Sequence, residues 1–140
     1  MDLRVEDRPD AESLGQLEAR LAESTFAVTG RSGASELAIF VRDGQVLKAG
    51  IHGWTWGGCC ELQYLWVDET LRRTGLGSKL LQAAEDEAAA RGCTQVVLFT
   101  HASQAPGFYP RRGYELVASI DDYPHGDAAL WFKKPLVSAS

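Results

Sequence analysis

Apolar and polar positions change their period several times along the chain, and each change marks an element. "LRVEDR" (residues 3–8) alternates and predicts a short strand. In "PDAESLGQLEARLAES" (9–24), Leu14, Leu17 and Leu21 recur at helical spacing and predict a helix. "ELAIFVRDGQVLKAGIHGWTW" (36–56) is β-rich on both sides of Asp43-Gly44, a strong two-residue turn signal, and predicts a hairpin. Gly57-Gly58 predicts a second turn, and "CCELQYLWV" (59–67) a third consecutive strand. Between Gly75 and Arg91 the apolar positions Leu76, Leu80, Ala84 and Ala88 step by four along one helix face, and Gly92 is placed to end that helix in a left-handed conformation. "TQVVLFT" (94–100) is almost continuously apolar, as in a strand buried on both faces. "SQAPGFYPRR" predicts a loop entering a brief helix. "GYELVASI" and "AALWFKKPL" predict closing strands joined by the polar loop "DDYPHGD".

A helix, an antiparallel meander, a strand–helix–strand unit and two final strands predict an α/β (α+β) domain over residues 1–140. Its central sheet is mixed and mostly antiparallel. The "LWV", helix, "VVLFT" unit predicts a right-handed crossover, which makes those two strands parallel neighbours.

Composition narrows the function without naming it. The chain has 140 residues, 45% apolar and 24% charged, and a net charge of −5 with no Lys/Arg run. This argues against nucleic acid as a partner and is compatible with a cationic small molecule. Three cysteines, two of them adjacent (Cys59 and Cys60), fit a reducing compartment. "MDLRVEDRPDAE" is acidic and lacks an apolar stretch, so no secretory signal is expected. No apolar run reaches the roughly 18 residues of a membrane span. A cytoplasmic location is the expectation.

The candidate chemistry begins at "RRTGLGSKLL" (72–81). A dinucleotide fingerprint requires a third glycine where Leu80 stands, and a P-loop requires a Gly-Lys-Ser/Thr order that Gly77-Ser78-Lys79 does not have. What remains is Arg72-x-x-Gly75-x-Gly77 between a strand and a helix. The first helical turn has unpaired N–H groups and partial positive charge, glycine lets a ligand approach the backbone, and Arg72 and Arg73 add charge, so the segment suits a pyrophosphate. The plainer reading is a strand-to-helix connection in which glycine eases the turn.

"LWVDETLRRTGLGSKLLQAAEDEAAARG" resembles the acyl-CoA-binding motif of the GNAT superfamily of N-acetyltransferases. "QAPGFYPRRGYE" is similar to the family's second motif, with Ala105, Phe108, Tyr109, Gly113 and Tyr114 in the matching places. The resemblance covers residues 59–134 well and the first third only in strand order. It implies the GNAT acyltransferase fold, flanked by helices, in which the strand ending "LWV" splays away from the next and a pantetheine arm lies in the gap. Main-chain groups of Leu65, Trp66 and Val67 would pair with that arm. Arg72, Arg73, Thr74, Gly75, Leu76, Gly77 and Ser78 would hold the pyrophosphate of acetyl-CoA. Tyr109 aligns with the tyrosine that serves the thioester sulfur, as cofactor contact and general acid. Glu61 stands where some members carry a catalytic glutamate and is the candidate general base. Strand alternation puts Glu61, Gln63, Leu65 and Val67 on one face, with Gln63 a candidate to orient a water. One departure concerns the pantetheine arm: the family's usual asparagine is replaced by Ala102, between His101 and Ser103.

The implied activity is direct transfer of acetyl from acetyl-CoA to a primary amine of a small molecule, without metal, in a protein whose relatives are often homodimers. A protein or peptide amine acceptor and a non-catalytic acyl-CoA sensor stay open. His52, Cys59 and Cys60 lack the paired spacing of a zinc site, and a cysteine nucleophile needs an activating base beside it. Trp54 and Trp56 are candidates to line an amine pocket by cation–π contact, or simply packed strand residues. The Asp121-Asp122 loop fits a cationic acceptor but also reads as a solvated loop.

Overall fold

The computed structural model describes residues 1–31, 33–104 and 107–137. The chain forms two compact units, Met1–Gly33 and Ala34–Ser140. Ala105 of the second motif lies outside the described residues.

The first unit is one helix, α1 (Ala11–Thr29). Asp10 caps it by accepting from the Ser13 amide at 2.7 Å and the Ser13 hydroxyl at 2.9 Å, bonds that hold its carboxyl below the usual carboxylate range. The helix runs past Ser24, where the leucine spacing stops, because no breaker intervenes before Gly30. That glycine takes a φ of 70° and donates to the Phe26 carbonyl at 2.8 Å. The strand expected at residues 3–8 is absent. Its two apolar residues sit among Arg4, Glu6, Asp7 and Arg8, and the unit has no second strand to pair with.

The second unit is a six-stranded sheet in the order β1-β2-β3-β4-β6-β5 with one long helix. Strands β1 (Ser35–Asp43), β2 (Val46–Trp56) and β3 (Cys59–Val67) form the expected meander. The first turn is shifted by one: Asp43 still pairs with Val46, so the tip is Gly44-Gln45, with φ 60° at the glycine. Gly57 and Gly58 both adopt positive φ, 60° and 84°, the geometry that matches strand twist in a two-residue hairpin. Helix α2 (Leu76–Ala90) ends at Gly92 with φ 87°. It leads to β4 (Gln95–His101), which pairs parallel to β3 as expected from the crossover. The brief helix is a 3-10 turn over Pro110–Arg112. Strands β5 (Glu115–Asp121) and β6 (Ala128–Pro135) close the sheet as an antiparallel pair.

One sheet face and α2 make the core. Leu80, Leu81, Ala84 and Ala88 of α2 are buried with Leu37, Ala49, Ile51, Cys60, Leu62, Val96, Leu98 and Phe132. Glu85 is buried among them although its sequence context, "AAEDEAAA", reads as a solvated face. Its carboxylate accepts from the Tyr114 hydroxyl at 2.9 Å and from Lys134 Nζ at 2.8 Å, fastening α2 to β6 and to the residue after Gly113. A buried carboxylate is tolerable only with partners of this kind.

Two irregularities set the site. Strands β3 and β4 pair only from Cys59–Gln95 to Leu62–Leu98, and no pairing continues beyond. In the β2–β3 ladder Gly53 faces Leu62 but His52 faces Tyr64, so Gln63 is an extra residue, a β-bulge. The bulge resets the alternation. Cys60 and Leu62 before it, and Leu65 and Val67 after it, all pack on the core side. Glu61 therefore does not share a face with Leu65 and Val67, contrary to strict alternation.

Candidate functional site

Past the last β3–β4 pair, a cleft of about 760 Å³ opens. It is lined by Leu65, Trp66 and Val67 from β3 and by Arg72, Arg73, Gly75, Leu76, Gly77 and Ser78 from the turn into α2. Thr100, Gln104, Phe108, Tyr109, Arg111 and Arg112 line the other side. Every expected cofactor residue except Thr74 is brought together here. The Thr74 hydroxyl instead donates to the Leu71 carbonyl at 2.5 Å and shapes the turn from within.

The charge of this cleft is one-sided. Arg72, Arg73, Arg111 and Arg112 line it and, among the described residues, no acidic one does, in a chain of net charge −5. Two of these cations have structural duties. Arg72 Nε donates to the Val67 carbonyl at 3.0 Å, tying the turn to the strand end. Arg112 Nε donates to Ser78 Oγ at 2.7 Å, its NH1 donates to the Phe108 carbonyl at 2.7 Å, and its guanidinium stacks 3.8 Å from the Phe108 ring centre. Arg112 thus binds the 3-10 turn to the first turn of α2.

The start of α2 fits a diphosphate on local grounds. Gly75, its N-cap, lies at φ 85° and offers no side-chain cap, so the first-turn N–H groups are left for a ligand. Around the position of a Cβ on Gly75 there is open space to 4 Å. Arg73 also adopts positive φ, 64°, which a non-glycine residue does only where the turn demands it.

The two tyrosines of the second motif have different fates. Tyr114 is buried and donates to Glu85, and desolvation with that neighbouring carboxylate pushes its phenol well above the usual range. Tyr109 packs edge-on against Phe108 and Tyr114, with ring centres 5.0 and 5.6 Å away, while still lining the cleft. Burial raises its phenol above the ordinary value of 10.0, so it stays protonated through neutral pH. Ala102 offers no side-chain amide to the cleft, and the nearby Gln104 does. Gln104, two residues on, lines the cleft and accepts from the Thr100 hydroxyl at 3.3 Å, which leaves its amide N–H donors for a ligand.

Glu61 lies elsewhere, in a hollow of about 410 Å³ with Trp54, Leu62, Gln63, Phe99, Ile120, Tyr123 and Trp131. The two hollows are neighbours through the chain: Gln63 leads to Leu65 on β3, and Phe99 to Thr100 on β4, at the point where these strands part. Trp54 is a lining residue of this second hollow and Trp56 is not. His52 faces Tyr64 and Cys59 faces Trp56 in the β2–β3 register, so the structure does not bring this histidine to the cysteines. Among the described residues no group of three or more His, Cys, Asp or Glu converges. Cys60 is fully buried and its thiol is pushed up to about 12, mainly by desolvation, the opposite of an activated nucleophile.

Comparison with known proteins agrees with this geometry. Residues 3–114 match the model of the acetyltransferase (GNAT) family. A blasticidin-S acetyltransferase of Streptomyces morookaense is 47% identical over 74 residues, about half of each chain (52% of this one and 52% of that). The acetyltransferase Atu2258 of Agrobacterium fabrum is 31% identical over 96% of this chain and 98% of its own. A crystal structure of an acetyltransferase from Agrobacterium tumefaciens superposes with a TM-score of 0.89 at 31% identity, covering 96% of this chain and 99% of that one. With a family match over most of its length and a full-length relative above 30% identity, the chain belongs to the acetyltransferase (GNAT) family.

Proposed function

We propose that this protein transfers the acetyl group of acetyl-CoA directly to the primary amine of a small molecule. The observation that carries the reading is the cleft: four arginines and no acid, an uncapped helix start, and a cleft-lining tyrosine kept protonated, all beside the gap between β3 and β4. Acetyl-CoA, when bound, supplies the acetyl group as a thioester. Main-chain groups of Leu65, Trp66 and Val67 bind the pantetheine arm in the manner of an added strand, and the Gln104 amide replaces the missing asparagine. The amides from Gly75 to Ser78, with Arg73 and Arg111, hold the pyrophosphate.

Glu61 takes the proton that an ammonium group must lose before its nitrogen can attack, since such a group has a pKa of about 10. Tyr109 holds a proton at its hydroxyl for the departing thiolate. The carbon–sulfur bond breaks as the carbon–nitrogen bond forms; the thiolate takes the Tyr109 proton, and the nitrogen's second proton, released as the amide forms, restores the phenol, so that one proton in net leaves through Glu61 to solvent. A small acceptor is favoured by the likeness to a blasticidin-S acetyltransferase and by the modest size of the hollow around Glu61.

Release of free CoA thiol from acetyl-CoA, measured across polyamines, aminoglycosides, amino acids, aryl amines and peptides, tests the activity. Tyr109→Phe should lower kcat by roughly 10²-fold or more while leaving acetyl-CoA affinity within about twofold, and Glu61→Gln should lower kcat similarly. A panel with no turnover, or a Tyr109→Phe variant of full activity, refutes the reading; acetyl-CoA binding without turnover would point to a sensor.

A further inference from the structure

Among the described residues eight line the hollow beside the β3–β4 gap, and Glu61 is the one charged residue of these. Four are aromatic. Trp54 stands directly opposite Glu61 in the β2–β3 register. Phe99 and Trp131 are cross-strand partners on β4 and β6 with ring centres 5.0 Å apart and planes tilted by 53°. Tyr123 adds a third ring 6.2 Å from Phe99 and is steadied from behind by His101, whose Nδ1 lies 3.1 Å from the Tyr123 carbonyl oxygen. The Glu61 carboxylate has no hydrogen-bond or ion-pair partner among the described residues, so its capacity as an acceptor is unspent.

Each of these features favours a different part of one ligand. A carboxylate without a cation partner, set among ring faces, attracts a single ammonium by Coulomb force and by the ring quadrupoles. The tilted rings offer offset and edge contacts to a flat apolar body. A second ammonium on the same molecule would lie against Leu62, Ile120 and the rings with no second carboxylate of the hollow to meet it. A carboxylate on the ligand would face Glu61.

We propose that the acceptor is a monocationic amine carrying a flat ring, with its ammonium on Glu61 and its ring held by Phe99, Trp131 and Tyr123. This rests on the acetyltransferase reading for its chemistry but not for its binding. Selectivity then comes from the hollow's charge count: one anion, one cation. Polyamines, aminoglycosides and free amino acids are discriminated against by charge, not by size alone.

The test compares 2-phenylethylamine with spermidine and with phenylalanine, which is the same body bearing a carboxylate. With acetyl-CoA saturating, kcat/KM for 2-phenylethylamine should exceed both by at least about tenfold. Phe99→Leu and Trp131→Leu should each raise its KM by about tenfold without changing that for acetyl-CoA. Because Trp54 and Trp131 line the hollow, titration of intrinsic fluorescence with 2-phenylethylamine reads binding apart from turnover and also in Phe99→Leu. Saturable quenching that is weakened in Phe99→Leu and in Glu61→Gln supports the proposal. Preference for spermidine or phenylalanine, or no saturable quenching, overturns it while CoA release from any amine keeps the acetyltransferase reading alive. If no amine releases CoA, that reading fails, and the titration alone decides the binding proposal.

Discussion

The two glycines of "RRTGLG" look equivalent in sequence, and the structure separates them. Gly75 lies at φ 85°, where an L-residue is strained by roughly 1–2 kcal/mol. Gly77 is inside α2, and a Cβ there would meet the Phe108 ring at 3.5 Å, an ordinary contact. Gly77→Ala should therefore keep stability and acetyl-CoA KM near the parent values. Gly75→Ala should lose about 1–2 kcal/mol in chemical unfolding and raise acetyl-CoA KM by about tenfold, because the cap that exposes the first-turn amides must distort. Equal behaviour of the two variants would mean that the left-handed cap has no part in ligand binding. At this scale the motifs led to Arg72, Arg73 and Tyr109, which line the cleft, whereas Arg111 and Arg112 come to it only through the fold. Glu85 and Gln104 were not legible, since their surroundings are assembled from Tyr114 and Lys134 in one case and Thr100 in the other, none adjacent in the chain.

Elements were legible where period and punctuation agreed: the second hairpin, the four-step face of α2 and the apolar run of β4 fall where the pattern puts them, and the first hairpin turn is off by one residue. The bulge at Gln63 was not, because a two-residue period carries no sign of an inserted residue until the partner strand is known. Gly53 on β2 is its counterpart. A Cβ on Gly53 would stand 2.2 Å from the Glu61 carbonyl oxygen and 2.9 Å from Leu62 Cα, both backbone atoms that cannot swing aside. This close approach accommodates the extra residue in β3, after which Leu65 and Val67 join Leu62 on the core face while Glu61 lies off it. Gly53→Ala should thus do two things at once: destabilise the protein by about 2–3 kcal/mol through overpacking, and lower kcat more than it changes acetyl-CoA binding. Gly50→Ala, also on β2, is the fitting comparison, since there the tightest neighbours are the swinging ring of Phe40 and one carbonyl at 3.2 Å. If Gly53→Ala turns over normally in the folded state, the bulge does not set the position of Glu61 relative to the cleft.

For the whole molecule, the titrating groups predict an asymmetric stability profile. Asp10, Asp68, Asp122 and Asp127 are held below the usual carboxylate range by hydrogen bonds, so their contribution is present above about pH 4 and is lost as pH falls. Asp10 and Asp122 are exposed and Asp68 and Asp127 are half-buried at the surface, which keeps that acid limb shallow. The alkaline limb is different in kind. Cys59, Cys60, Cys93, Tyr109 and Tyr114 are all raised, chiefly by desolvation. Above the ordinary thiol value of 9.0 the unfolded chain releases protons that the folded chain keeps, so the unfolded state gains and stability falls as pH rises. Cys60, whose thiol reaches about 12, should alone account for about 1 kcal/mol of the loss between pH 8 and pH 10. Cys60→Ala has a smaller side chain and should start less stable at pH 8, yet lose about 1 kcal/mol less than the parent on going to pH 10. Urea unfolding at the two pH values measures both numbers, and parallel losses in parent and variant would show that the buried thiol does not set the alkaline limb. The same burial has a consequence for function: a Cys60 thiol that stays protonated at pH 8 neither competes as a nucleophile nor reacts with the thiol reagent used to follow CoA release, so turnover can be read in the folded enzyme without a signal from its core.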